Sequence, residues 1–432
     1  MGDLAMLDVT LRRLRTRFPE ARIGVLTDTP GLLRAYFPGI EPIVPHRSSA
    51  WTAAGTPAGR VCELLGPRVI GPVAIGWMTA KVWLPQKARG ARRRAGRLLR
   101  STWARLRPGG AEAAVIDDEP ATPTAVPLGR LTPTAKAAAA SSSLVVALGG
   151  GYLTDADPWQ SNRLLNLLQH AASHGVPTAM VGQGIGPIDD PALMARVAEV
   201  LPGVEVIALR EGRKGPALLE RAGVPASRVV VTGDDAIELA HTQHPRDLGE
   251  DIGICLRIAG YSPVDDAARA AVAASVLSVA EEFGAGLAPV VIAEYRNQDR
   301  RSTLPLVEGY EAARQPLPRF ARPQHVAAQV GRCRVMVTGA YHAAVFALSQ
   351  GIPVVALTSS TYYDDKFLGL AGMFGTGLEL IRLDGEDVGE RLSAAIRSAW
   401  KLAPDLRPEL LASAADQIAL SRENFERVCG LV

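Results

Sequence analysis

The chain has 432 residues, of which 47% are hydrophobic and 21% are charged, and its formal net charge is +3. That length predicts two globular domains. So small a net charge argues against a nucleic-acid partner. Abundant alanine, glycine and arginine beside scarce lysine indicate a bacterial genome rich in G and C.

Four cysteines lie far apart in the chain and lack the spacing of zinc ligands or redox pairs. We expect them to be buried free thiols of a reducing cytoplasm. The first residues lack the basic and apolar regions of a secretory signal. The longest uncharged apolar stretch, 69–80, is too short to cross a bilayer. We therefore expect a cytoplasmic protein. The cysteines are Cys62, Cys255, Cys333 and Cys429.

Short apolar runs alternate with helix-length segments along most of the chain, as in parallel sheets buried on both faces. This pattern predicts an α/β fold of two doubly wound, Rossmann-like domains that face a cleft. We place them at 1–242 and 250–400, followed by a terminal helix at 405–432. The runs are ARIGVLTD, SLVVALGGG, TAMVGQG, EVIALRE and RVVVTGDD, then DIGICLRI, LAPVVIAEY, RVMVTG, IPVVALT and LELIRL.

Residues 60–140 interrupt this alternation with a basic, low-complexity insertion in the first domain. Every charged residue from 81 to 107 is basic, and a Pro/Ala/Thr-rich tract follows at 119–140. One interpretation is a peripheral contact of 70–107 with anionic lipid at the inner face of the membrane, near a lipid-linked acceptor. The other is a solvated basic helix followed by a disordered linker.

In the first domain, candidate ligand-binding residues follow the strands, because ligands of such sheets bind beyond the carboxyl ends of the strands. The GGGYLTD run leaves backbone N–H groups free to bind an anion. An Arg beside a Glu at the end of a strand is also a common structural ion pair. The carboxylates of TGDDA could orient a sugar hydroxyl or cap the next helix. The candidates are Gly149, Gly150, Gly151, Gln183, Arg210, Glu211, Asp234 and Asp235.

In the second domain, Arg257 ends an apolar strand, where an unpaired arginine would be costly. An acidic neighbour or an anionic ligand is therefore expected to meet it. His342 follows a strand and a glycine at the start of a helix, where anions bind and a histidine could exchange protons with them. The alternative is a core histidine packed on Val345 and Phe346.

The order of these motifs resembles the polysaccharide pyruvyl transferase family. The similar pieces are an opening G-D-x-A with Asp3, the GGG strand end, GQGIGP, the strand-end Arg-Glu, D-x-A, the strand-end Arg257, and G-x-x-H-x-x-x-F-A-L-x-x-G-I-P. YYDDKFLGL, which contains Lys366, resembles the segment that follows in the family. The likeness covers most of the chain outside 60–140. It implies two domains arranged as in two-domain (GT-B) glycosyltransferases.

The resemblance implies transfer of a pyruvyl group from phosphoenolpyruvate to a sugar of a polysaccharide or glycan precursor, giving a pyruvate ketal. The implied reaction needs no metal and no cofactor other than phosphoenolpyruvate as co-substrate. His342 is then the candidate acid that protonates the donor. The implied donor-binding residues are Arg257, Lys366 and Gly339. The implied substrate-binding residues are Asp3, Gly149, Gly150, Gly151, Gln183, Arg210, Glu211 and Asp234.

Two features depart from the family pattern. Ala340 stands where the family has the arginine of an Arg-Leu-His triplet, so a grip on the anionic donor is missing there. Also, Gly2 and Asp3 have no strand before them, and we expect an upstream start codon that encodes one. Two alternatives stay open. One is a glycosyltransferase with a nucleotide-sugar donor, although no E-x7-E-like motif is evident. The other is a non-catalytic, glycan-binding homologue.

Overall fold

The computed structural model describes residues 1–44, 56–76, 129–260, 262–294 and 298–432. The basic segment 81–107 and most of the predicted contact region 70–107 lie outside these ranges. In the described part, the structure contains two mainly helix-covered parallel sheets and one separate pair of strands. All four cysteines are buried and free, as predicted.

The N-terminal residues form helix α1 (Gly2–Arg17), strand β1 (Gly24–Leu26), helix α2 (Pro30–Tyr36) and strand β2 (Glu41–Ile43). β1 pairs with β2 in parallel, in a two-stranded sheet. Residues 57–76 form helix α3. The predicted linker at 119–140 is wrong at its end, because Pro133–Ala140 forms helix α4. The Thr132 hydroxyl caps this helix by accepting a hydrogen bond from Ala135 N. The alanines of the segment favour a helix.

The first large sheet has the strand order β3-β5-β6-β7, all parallel, and β4 pairs with the far end of β5. Its strands are β3 (Val145–Ala147), β4 (Gly150–Leu153), β5 (Thr178–Ile185), β6 (Val206–Leu209) and β7 (Val229–Val231). Helices α5 (Pro158–Ser173), α6 (Pro191–Val200) and α7 (Gly215–Arg221) cover one face. α8 (Ala236–His241) follows β7.

The second large sheet has the parallel order β12-β11-β10-β8-β9. Its strands are β8 (Asp251–Cys255), β9 (Gly286–Pro289), β10 (Cys333–Thr338), β11 (Val354–Thr358) and β12 (Leu378–Arg382). The helices are α9 (Asp266–Phe283), α10 (Gln298–Thr303), α11 (Pro323–Val330), α12 (Tyr341–Leu348) and α13 (Thr361–Phe374). Each predicted strand run contains a strand, so the α/β prediction is confirmed. The domain bounds 1–242 and 250–400 stay a prediction.

The last helix differs from the prediction of a separate helix at 405–432. Helix α14 runs without interruption from Val388 to Cys429, with Pro404 and Pro408 inside it. Prolines normally disrupt a helix interior, which made a boundary there plausible. Packing overrides them: Leu392 and Ile396 lie in the core of the second sheet, whereas the far end of the helix packs on the first. α14 therefore connects the two sheets.

Both sheets turn the carboxyl ends of their strands toward the same region. α1 packs among α8, α11 and α12, so that its first turn reaches this region as well. The side chain of Arg210, just after β6, lies over the ring of Tyr341 at the start of α12. The site therefore combines residues that are more than a hundred positions apart in the chain.

Candidate functional site

A cavity of about 370 Å³ lies where the strand ends of the first sheet meet α12 and α13. Five of its lining side chains are cationic, against three acidic ones. Asp365 pairs with Lys214, which is one of the five cations, and Glu211 accepts backbone hydrogen bonds, so four cations remain outside that ion pair. The cavity is therefore suited to an anionic ligand. The cations are Arg210, Arg213, Lys214, Arg221 and Lys366.

Arg210 is the central cation of this cavity. It is 4% exposed, and its guanidinium carbon lies 4.3 Å from the centre of the Tyr341 ring. Its Nη1 is 3.5 Å from Asp234 Oδ2, an ion pair too long for a strong hydrogen bond. Within the described ranges, no protein acceptor takes a hydrogen bond from this guanidinium. A buried fork with unused donors is a favourable partner for a phosphate or carboxylate.

Two glycines make room for this arginine. A Cβ at Gly184 would lie 2.6 Å from Arg210 Nε, and one at Gly151 would lie 3.0 Å from its Nη2. The same Cβ at Gly151 would be 3.2 Å from Lys366 Nζ. The glycine-rich strand end thus lets two cations from different sheets approach one backbone position. Gly151 is the predicted glycine that lines the cavity.

Lys366 reaches the cavity from the second turn of α13. Its Nζ donates a hydrogen bond of 2.5 Å to the Tyr362 hydroxyl and lies 3.9 Å from the centre of that ring. Burial, and then the charge of Arg210, lower the pKa of Lys366 to about 7. An anion bound beside it would favour the protonated form. Lys366 therefore gains or loses its charge near neutral pH, according to what occupies the cavity.

His342, in the first turn of α12, lies between Asp234 and Gly2. Its Nε2 is buried, without a hydrogen bond, 3.6 Å from Asp234 Oδ2. The imidazole covers Gly2, where a Cβ would lie 2.0 Å from its Cγ. The ring therefore faces a carboxylate and the start of α1, which differs from the alternative of a histidine enclosed by Val345 and Phe346. His342 does not itself line the 370 Å³ cavity.

Asp234 links this histidine to Arg210. Its Oδ1 accepts a hydrogen bond of 2.9 Å from Ala236 N at the start of α8, while Oδ2 faces Arg210 and His342. Burial alone would raise the pKa of Asp234, but His342 and Arg210 outweigh it and hold that pKa below its ordinary value. Asp234 therefore caps the start of α8, as one of the two interpretations predicted, and contact with a sugar hydroxyl stays a prediction.

The adjacent Asp235 is a structural residue. It accepts a hydrogen bond from Ser421 Oγ of α14, and it lies 3.5 Å from Arg13 of α1. Burial raises its pKa to about 6. Asp235 therefore holds the first and last helices against the end of β7.

The guanidinium of Arg257, which was predicted to bind the donor, is occupied by a protein carboxylate. Its Nε and Nη2 donate hydrogen bonds of 2.7 and 3.0 Å to the two carboxylate oxygens of Asp299. Asp299 is fully buried and lies in α10, forty-two positions further along the chain. The anionic partner expected for this strand-end arginine is thus a protein carboxylate, and the geometry argues against donor binding by Arg257.

Several other predicted site residues have structural roles. The Gln183 side chain is fully buried and donates to backbone oxygens of Ala147 and Leu148, which holds β3 and β5 together. Glu211 accepts hydrogen bonds from the N–H groups of the 213–215 turn. Gly339 lies where β8 and β10 end close together, since its Cβ would be 3.2 Å from Arg257 N.

The remaining predicted residues lie at the edge of the site. Gly149 packs under α1, where its Cβ would be 2.6 Å from Met6 Sδ. A Cβ on Gly150 would meet the Tyr152 ring at 2.6 Å. Asp3 is exposed in the first turn of α1, and its charge acts on Arg210 and Lys366. Asp3 is therefore near the cations but does not line the cavity.

Tyr341 and Tyr362 also line the cavity, although neither was among the predicted site residues. Tyr341 forms the floor under Arg210, and burial raises its pKa above the ordinary value. The signal was present in the triplet Ala340-Tyr341-His342, where an aromatic residue stands in place of the family's leucine. In the described residues, no group of three or more metal-ligating side chains is arranged to hold a metal ion.

Comparisons with known proteins identify a family and a set of distant structures. The model of one family, described as polysaccharide pyruvyl transferase, matches residues 1–361. No curated protein sequence gives a significant match. Among solved structures, UDP-GlcNAc 2-epimerase from Neisseria meningitidis bound to UDP-GlcNAc is 12% identical, with a TM-score of 0.45, over 68% of this chain and 80% of that chain.

Two further structures are similarly distant. UDP-GlcNAc 2-epimerase from Methanocaldococcus jannaschii is 11% identical, with a TM-score of 0.46, over 68% of this chain and 81% of that chain. A glycosyltransferase from Rickettsia africae is 9% identical, with a TM-score of 0.35, over 67% of this chain and 99% of that chain.

The matched family range contains most of the site that the structure assembles. It includes Arg210, Asp234, Tyr341 and His342, and it ends before Lys366. The protein is a transferase that belongs to the polysaccharide pyruvyl transferase family.

Proposed function

We propose that the protein transfers a pyruvyl unit from phosphoenolpyruvate to two hydroxyls of a carbohydrate acceptor, forming a cyclic ketal. The observation that carries this proposal is the meeting of Arg210 and Lys366 at Gly151. Arg210 also lies 3.5 Å from Asp234, which lies 3.6 Å from His342. Phosphoenolpyruvate has a phosphate and a carboxylate on one small carbon frame. Two neighbouring cations from different sheets suit such a doubly anionic donor.

Arg210 and Lys366 are the donor-binding pair in this proposal. The open fork of Arg210 takes two oxygens of one anionic group, and the Lys366 ammonium acts as a point charge on the other. Tyr341 holds the guanidinium plane from below. Arg210 therefore takes over the anion grip that Ala340 cannot supply, from the opposite sheet.

His342 is the proposed acid, and Asp234 positions it. In this proposal the methylene end of the donor extends from the cavity toward His342. Since Nε2 faces Asp234, the imidazolium transfers its Nδ1 proton to the methylene carbon, and positive charge develops at the adjacent carbon. One acceptor hydroxyl adds to that carbon, and the second closes the ring as phosphate leaves. One hydroxyl proton restores the acid and the other leaves with the phosphate. Asp234 stays ionised because its pKa is lowered, so it can hold the ring at Nε2.

The experiment is an assay of phosphate release from phosphoenolpyruvate with a panel of glycosides and lipid-linked sugars. Release that requires both the donor and one acceptor is the expected result. His342→Ala should lower kcat by about 10²–10⁴, the contribution of one acid–base group. His174→Ala, which changes an exposed histidine on the surface beyond α5, is the matched control and should keep full activity.

A second set of reactions, with nucleotide sugars in place of phosphoenolpyruvate, distinguishes between the two possible donors. The same panel is incubated with nucleotide sugars, and transfer of a hexose is followed by mass spectrometry. Sugar transfer without phosphate release from phosphoenolpyruvate would overturn the donor assignment. Equal activity of His342→Ala and the unchanged protein would overturn the role of the histidine.

A further inference from the structure

Helix α3, at 57–76, exposes an unusual amount of apolar surface. Half of the large hydrophobic side chains that are exposed in the described part of the chain belong to this one helix. Gly66 within this helix has a left-handed φ of 70°, and apolar side chains are exposed both before and after it in the sequence. An exposed patch of this kind marks an interaction surface. The side chains are Val61 (48% exposed), Leu64 (86%), Leu65 (49%), Val69 (52%) and Val73 (62%).

The charged residues of this helix are two arginines and one glutamate. Arg60 and Arg68 are exposed, and the one acidic residue, Glu63, is paired with Arg34 at 2.6 Å. The sequence after the helix continues this bias, with ten basic and no acidic residues at 81–107. Exposed apolar side chains combined with an excess of positive charge complement an anionic lipid surface.

The opposite side of α3 is fixed to the body of the protein. A Cβ at Gly71 would lie 2.3 Å from the Phe320 ring, so the helix approaches that ring as closely as a glycine permits. Ile75 packs in the cluster that contains Leu4 and Leu148. These two residues directly adjoin Asp3 and Gly149. The exposed side of α3 therefore has a fixed orientation relative to the site.

We propose that α3 docks on the surface of an anionic bilayer through Val61, Leu64, Leu65, Val69 and Val73, with Arg60 and Arg68 at the headgroups. The helix lies in the interface and does not cross it. In the described ranges no helix has the length and apolar content that a membrane crossing requires. Docking holds the site beside the membrane, where a lipid-linked sugar would be presented. The inference concerns binding alone and does not depend on the donor.

Co-sedimentation of the full-length protein with vesicles tests this docking surface. The protein should pellet with phosphatidylcholine vesicles that contain phosphatidylglycerol and stay in the supernatant with phosphatidylcholine alone. Binding should weaken as salt shortens the screening length from about 10 Å at 0.1 M toward about 3 Å at 1 M. Recovery in the supernatant with both vesicles at low salt would overturn the proposal.

A pair of matched variants locates the contact. Leu64→Glu/Leu65→Glu should reduce partition onto anionic vesicles by about tenfold or more, since it removes apolar area and adds two negative charges. Leu402→Glu/Leu420→Glu changes two exposed leucines on α14, each exposed to about the same extent as Leu65, and should bind as the unchanged protein does. Thermal unfolding checks that both variants fold.

Two outcomes of these variants contradict the proposal. Equal vesicle binding of both double variants would place the lipid contact elsewhere. If light scattering shows a dimer that only Leu64→Glu/Leu65→Glu dissociates, and vesicle binding is absent, the face is covered by a second copy. Phosphate release with a water-soluble acceptor should be the same in all three proteins, which separates a failure of docking from a failure of the proposed chemistry.

Discussion

Arg210 and Arg257 occupy equivalent places in the two sheets and have different surroundings. Each follows a buried parallel strand, β6 in the first sheet and β8 in the second. The fork of Arg257 is filled by the buried Asp299. The fork of Arg210 lies over an aromatic ring, with its closest carboxylate oxygen at 3.5 Å. The same residue at the same kind of position is structural in one sheet and open to a ligand in the other.

This difference shows that a strand-end arginine indicates function only when its partner is known. Asp299 also accepts hydrogen bonds of 3.0 and 2.6 Å from Ile292 N and Ala293 N, so it organises the segment after β9. Arg257 completes that buried network. Arg210 instead packs against Gly151 and Gly184, whose missing side chains leave room for its guanidinium at the wall of the cavity.

The largest expected effect is on stability when Arg257 is removed. Arg257→Met leaves the fully buried Asp299 without its cation, which should lower the free energy of unfolding by about 3–5 kcal/mol. Chemical denaturation measures this. Arg257→Met/Asp299→Asn should recover part of the loss, because it removes the unpaired charge and keeps an oxygen acceptor. A stability equal to that of the unchanged protein would show that the pair is not structural.

The second largest effect is expected on kcat/KM for the donor when Arg210 is replaced. Arg210→Met should lower kcat/KM for the donor by roughly 30- to 5,000-fold, equivalent to about 2–5 kcal/mol for a buried charged contact. Arg257→Met, measured on folded protein, should retain most of its kcat/KM. Steady-state kinetics with varied donor concentration decides the comparison. Similar losses in both variants would mean that the two arginines do not differ in function.

The third effect is a pH dependence that Lys366 imposes on the same cavity. Its pKa is lowered to about 7, so its positive charge is present below that pH and is lost as the pH rises through it. Donor affinity should therefore fall by up to about tenfold per pH unit above this point. Lys366→Met should bind more weakly at pH 6 and show no such fall. Lys136→Met, an exposed lysine of α4, is the control and should keep the unchanged profile.

The smallest effect concerns the ring beneath Arg210. Tyr341→Leu restores the family's residue and removes a cation–π contact at 4.3 Å, which is worth about 0.5–2 kcal/mol. KM for the donor should rise roughly 2- to 30-fold while kcat changes little. Tyr341→Phe keeps the ring and should behave as the unchanged protein. An effect of Tyr341→Phe equal to that of Tyr341→Leu would assign the role to the hydroxyl.

Much of the fold could be predicted because parallel strands buried on both faces read as continuous apolar runs. The runs around β5 and β8 are examples, and the strand ends of the first sheet border the candidate cavity. The prediction failed for α14, because Pro404 and Pro408 locally disfavour a helix that packing against two sheets stabilises. Local rules cannot include contacts that exist only after the chain has folded.

The sequence by itself determined the α/β class, the strands and the motif order that indicates the family. Tertiary structure alone decided which charged groups are paired. Asp299 neutralises Arg257 from a different element, and no acceptor fills the fork of Arg210 in the described chain. It also decided that Gln183 is internal and that Tyr341 lies under Arg210. The physical reason is that strand propensity depends on neighbouring residues, whereas the energy of a buried charge depends on groups that are distant in the chain.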